Sequence, residues 1–185
     1  LLEYALEGTE LCRVILTAYH DLPRLDVDLQ LHKKSVWEPE NLYLALPFHS
    51  EQATLWADKT GCVLRPRVDQ IPGSCTDYYC LQNGLAWVSD SASVIVSMPD
   101  TPLIAMGALE AHPIRLQGDP AQRNDDAVYA WVMNNFWETN FKASLGGFHQ
   151  YSYRLELSAE TDPQKCLDAA KANNEGVLTF SSYDR

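Results

Sequence analysis

The stretch Leu25–His32, "LDVDLQLH", constrains the fold more than any other part of the chain. Leu25, Val27, Leu29 and Leu31 alternate with Asp26, Asp28, Gln30 and His32. Successive side chains of a strand point to opposite faces, so this period of two predicts a strand with one buried and one wet face. A second run, 148–158 "FHQYSYRLELS", repeats the pattern, with Phe148, Gln150, Ser152 and Arg154 set against Tyr151, Tyr153, Leu155 and Leu157. Two long half-buried strands need partners and a second apolar layer to cover them.

The rest of the chain supplies candidates. Residues 11–20 are rich in β-branched and aromatic types, and 41–48 "NLYLALPF" reads as a strand closed by Pro47. "ATLWAD" and "CVLRPRV" flank "KTG", the signature of a hairpin. "LAWVSD", "SVIVSMPD", "PLIAMGALEA" and "PIRLQG" add short strands, with Pro-Gly and Asn-Gly turns around "IPGSCTDYYCLQNG". Only 162–176 reads as a helix, with Asp162 at its N-cap, Pro163 at its first position and Gly176 at its end. The expected fold is all-β, a large antiparallel β-sandwich over residues 1–158, followed by a helical or irregular tail over 159–185.

Composition narrows the function. The chain carries a net charge of −11, which argues against nucleic acid and anionic membrane as partners, since both select a basic surface. No run of 18 apolar residues occurs, and the start lacks a basic region and a cleavage site, so no membrane span or signal peptide is read. The first residues read as the interior of a longer protein. The five Cys (12, 62, 75, 80 and 166) form no CxxC pair, and they are expected to be free thiols in a reducing cytoplasm. "CTDYYC" lacks zinc-knuckle spacing, and a Cys75–Cys80 disulfide would require an oxidising compartment.

Catalytic signals are sparse. Phosphate-binding loops, GxSxG and HExxH are absent, and the five His are scattered. Asp26 and Asp28 share a strand face at a separation that suits an acid–base pair, but a solvated face is the simpler reading. His20 and Asp21 lie beside Tyr19 as a candidate polar cluster, and Asp125 and Asp126 belong to a polar turn. Trp37, Trp56, Trp87, Trp131, Trp137, Tyr78, Tyr79, Tyr151 and Tyr153 form a pool of rings that could stack on sugars or fill a core.

The stretch 128–147, "VYAWVMNNFWETNFKASLGG", sets Asn134, Asn135 and Asn140 among large hydrophobes. "VYAWVM" reads as a core strand and the remainder as an irregular segment, where Asn tolerates turns. Together with 31–48 "LHKKSVWEPENLYLALPF", 67–90 "RVDQIPGSCTDYYCLQNGLAWVSD" and 93–107 "SVIVSMPDTPLIAMG", the run 128–157 resembles, in order, the C-terminal β-domain of glycoside hydrolase family 38, the α-mannosidase family, in its bacterial form. The resemblance spans roughly residues 10–158 and implies a galactose mutarotase-like super-sandwich.

It also implies a parent enzyme that hydrolyses α-mannosides with retention, using an Asp nucleophile and a zinc ion held by His and Asp in a separate N-terminal barrel. None of those motifs occurs in this sequence, so no catalytic residue, metal site or cofactor is assigned to it; zinc belongs to the catalytic domain. The expected role is a non-catalytic domain that supports the barrel and the rim of its mannoside site, with Asn134, Asn135, Trp137, Asn140 and Lys142 as substrate contacts. The rival readings are a free-standing carbohydrate-binding module and a purely structural sandwich.

Overall fold

The computed structural model describes residues 1–107, 109, 127–135 and 144–175. Its strands are β1 (Leu2–Glu3), β2 (Thr9–Ala18), β3 (Arg24–Lys33), β4 (Asn41–Ala45), β5 (Thr54–Lys59), β6 (Cys62–Leu64), β7 (Tyr78–Cys80), β8 (Gly84–Val88), β9 (Ser93–Ser97), β10 (Leu103–Met106), β11 (Val128–Asn134) and β12 (Gly147–Ser158). One helix, α1 (Pro163–Glu175), follows. The strands form an eight-stranded sheet, β1-β2-β3-β12-β9-β8-β5-β6, and a four-stranded sheet, β4-β11-β10-β7. All strand pairings among the described residues are antiparallel, as the alternating pattern led one to expect.

The two sheets share one core. Val27, Leu29 and Leu31 of β3, Tyr153 of β12, Leu85 and Trp87 of β8 and Val96 of β9 meet Leu46, Tyr79, Ile104, Met106, Val128, Ala130 and Met133 from the four-stranded side. The period of two in β3 therefore maps onto inside and outside as expected. It continues one step further: Lys33 also points inward, is only 8% exposed, and is ion-paired with Glu40. A buried ammonium without such a partner would be costly.

The middle of the large sheet is covered on both faces. Every residue of β8 is buried. Leu85 and Trp87 face the four-stranded sheet, whereas Ala86 and Val88, with Ile95 of β9, pack against Cys166, Leu167 and Ala170 of α1. The helix starts as its sequence dictates: the backbone N–H of Gln164 donates to the Asp162 carboxylate at 2.9 Å. At the β5–β6 turn, Thr60 (φ 41°) and Gly61 (φ 80°) both occupy positive φ, the two-residue turn that "KTG" announced. One boundary differs from expectation. Asn134 ends β11 as a paired strand residue opposite Asn41, after a bulge between Trp131 and Met133, so the strand outlasts "VYAWVM".

Candidate functional site

The outer face of the four-stranded sheet follows from its register. Ile104, Ala130 and Leu44 are aligned and point into the core, so their neighbours point out. Tyr43 of β4, Tyr129 and Trp131 of β11 and Tyr78 of β7 lie on this outer side. Tyr43 stacks on Trp131 with ring centroids 5.6 Å apart, and Tyr78 lies 5.2 Å from Trp131 on its other side. Tyr129 meets Tyr43 edge-on at 6.2 Å. All four rings are half-buried. Burial raises the Tyr43 phenol above its ordinary pKa, and the nearby Tyr78 adds to this, so the Tyr43 ring stays neutral at physiological pH.

Amides close one end of this aromatic row. The Asn41 carboxamide oxygen accepts from Trp131 Nε1 at 3.0 Å and from Asn134 Nδ2 at 2.6 Å. Rings with adjacent amides offer both kinds of contact a saccharide uses, stacking for its C–H faces and hydrogen bonds for its hydroxyls.

Asn135 has another role. It is 4% exposed. Its Nδ2 donates to the carbonyls of Val36 (3.2 Å) and Glu38 (2.8 Å), and its Oδ1 accepts from the Glu40 N–H at 2.7 Å. Its own backbone N–H donates to the Glu40 carbonyl at 3.3 Å. The amide is thus consumed by backbone, and Asn135 does not present a polar group to a ligand. A cavity of about 90 Å³ beside it is lined by Leu6, Thr9, Lys33, Glu40, Met133 and Asn135, among others. Of the five expected substrate contacts, the structure brings Asn134 and Asn135 next to each other with different roles. Trp137, Asn140 and Lys142 lie outside the described residues, as do Asp125, Asp126 and "PIRLQG".

The other sequence candidates resolve into structure. Trp87, Tyr79 and Tyr153 are core, at 4%, 2% and 1% exposure. Trp56 lies under the Arg65 guanidinium, 5.6 Å from its ring centre. Asp26 accepts from Tyr19 OH at 2.7 Å and pairs with Arg24, while Asp28 accepts from Ser152 Oγ at 2.9 Å, so the two carboxylates brace the wet face of β3 and do not face a cleft together. His20 pairs with Asp21 in an exposed turn without Tyr19, whose hydroxyl goes to Asp26. None of the five Cys forms a disulfide; Cys12 and Cys166 are buried. No group of three or more His, Cys, Asp and Glu suited to a metal ion occurs among the described residues. No helix among them is long and apolar enough to cross a membrane.

Sequence reasoning missed a second surface. At the β2–β3 hairpin end, the core-facing side of the large sheet runs past the four-stranded sheet. Leu16 and Leu157, which point to the same side as the core residues Val27 and Leu155, are 43% and 64% exposed. Leu22 in the hairpin turn is also exposed, at 51%, whereas Tyr19 lies on the opposite, wet face against Arg24 and Asp26. The alternation put Leu157 inside, and nothing local in the sequence marks where the covering layer stops. In comparisons with known proteins, no family model, no curated protein and no solved structure matches the chain.

Proposed function

We propose that this chain is a non-catalytic β-sandwich domain of an α-mannosidase-like glycoside hydrolase, which supports a separate catalytic barrel and the rim of its sugar site. The observation that carries this reading is the exposed leucine pair on the large sheet. Exposed apolar side chains together on one sheet face, here Leu16 and Leu157, mark interfaces. The barrel that the sequence resemblance implies is the natural occupant, and it would bring the nucleophile and zinc that this chain lacks. The test is hydrolysis of an aryl α-mannoside by the longer polypeptide with zinc supplied. Turnover that disappears with a chelator and returns with zinc is expected; a longer polypeptide without a barrel, or without glycosidase activity, would sink the reading.

A second reading is favoured by the Tyr43–Trp131–Tyr78 row: a free-standing carbohydrate-binding module that uses the outer face of the four-stranded sheet. Calorimetric titration of the chain with manno-oligosaccharides separates this from a purely structural sandwich, which would release no binding heat.

A further inference from the structure

We propose that Trp37 is a saccharide-stacking residue and that Asn135 is its positioning residue; the inference rests on the carbohydrate reading above. Trp37 is 75% exposed, far more than any other tryptophan described. Its loop, residues 34–40, is nevertheless tied down along its length. The Lys34 N–H donates to the Gly8 carbonyl at 2.9 Å, and Ser35 Oγ shares a hydrogen bond with the buried Ser144 Oγ. The buried Asn135 amide holds the carbonyls of Val36 and Glu38, the two residues that flank Trp37, and the N–H of Glu40. Lys33 anchors the Glu40 side chain from inside the core. Pro39 removes a further backbone freedom. The indole is therefore the one large apolar group of the loop turned to solvent on a braced frame.

Such bracing has a consequence for binding. Ordering a loop opposes association, and a loop already ordered avoids that cost. An exposed ring on a loop already held in place is pre-positioned for a flat apolar contact. The surroundings favour a pyranose as that contact. Lys34, Ser35, Glu38 and Pro39 are exposed in the same loop as the ring, and Val36 is half-buried. A sugar offers a C–H face to the indole and hydroxyls to the polar side chains around it. A protein partner would look for further apolar groups around the ring, where this loop has charges. The loop leads directly into Asn41, which closes the aromatic row through Trp131 and Asn134.

The experiment is calorimetric titration of the 185-residue chain with mannotriose, with thermal unfolding of every variant run beside it. Trp37→Ala is expected to lower the association constant at least tenfold with an unchanged Tm, and Trp37→Phe to lose less. Asn135→Ala is expected to lose binding as Trp37→Ala does, with the Trp37 indole N–H resonance shifted and broadened in the ligand-free protein. Should Asn135→Ala fail to fold, the two Trp37 variants decide the contact, and Asn135→Gln, assessed by the same indole resonance, decides the positioning role. Wild-type affinity in Trp37→Ala would overturn the proposal; if Trp131→Ala then loses binding, the carbohydrate reading survives without Trp37. No heat with the wild-type chain would overturn both. Loss of self-association in Trp37→Ala with sugar affinity unchanged would assign the ring to a second copy and also overturn the proposal.

Discussion

At the residue scale, the polar groups inside this sandwich are structural brackets. Asp58 accepts from the N–H groups of Gln82, Asn83 and Gly84 at 3.2, 2.9 and 3.0 Å and holds the turn into β8. Asn135 does the same for the 36–40 loop. Both roles are illegible in sequence, because the partners are 24 to 26 and 95 to 99 positions away. That Asn134 and Asn135 interrupt an apolar run was visible, but which amide would face backbone depended on the bulge after Trp131. Tyr153 gives a measurable case. Burial pushes its phenol up to about 12, against which the 2.9 Å bond to Thr101 acts only in part. The folded state therefore prefers the neutral ring. Its stabilising contribution is fully present below pH 10, the ordinary phenol value, and is lost as pH rises towards about 12, because the unfolded chain ionises first. The difference in unfolding free energy between wild type and Tyr153→Phe, followed by urea denaturation from pH 8 to 12, should shrink by roughly 2 kcal/mol over that interval. A difference independent of pH would show the ring to be solvated.

At the scale of elements, the long alternating strands and the capped helix were legible because their signals are local. Leu25 to Leu31 and Tyr151 to Leu157 carry their own period, and Asp162-Pro163 marks a helix start by itself. What covers each face was not legible. The short apolar run "GLAWV" is buried on both sides only because α1, some 80 residues later, lies across the back of the sheet. Gly84 begins that run, and a Cβ there would fall 2.1 Å from the carbonyl oxygen of Val96 on the adjacent strand. The clash is with backbone inside a sheet packed on both faces, so it cannot be relieved by a rotamer change. Gly84→Ala should lower stability by about 3 kcal/mol, read as a shift in urea midpoint at constant m-value. A loss below about 0.5 kcal/mol would mean that β8 and β9 can part without cost.

At the scale of the molecule, the two sheets are unequal, and the inequality determines what the surface can do. Four strands cannot roof eight. Among the described residues, α1 covers the outer face of β8 and β9, and the β2–β3 end of the inner face carries the exposed Leu16 and Leu157. Half-exposed leucines on the margin contribute little to the core, so charged residues should be tolerated there by the fold. Leu16→Glu combined with Leu157→Glu should leave Tm within a few degrees of wild type. The same pair should abolish any concentration-dependent self-association of the isolated chain in sedimentation velocity, because each new carboxylate would have to be desolvated in an apolar contact. If the proposed catalytic barrel packs on this face, the double variant should make the connection between barrel and sandwich more susceptible to limited proteolysis. Equal cleavage rates in variant and wild type would place the docking surface elsewhere, and the exposed ring of Trp37 and the aromatic row of the small sheet would be the next faces to test by the same substitution logic.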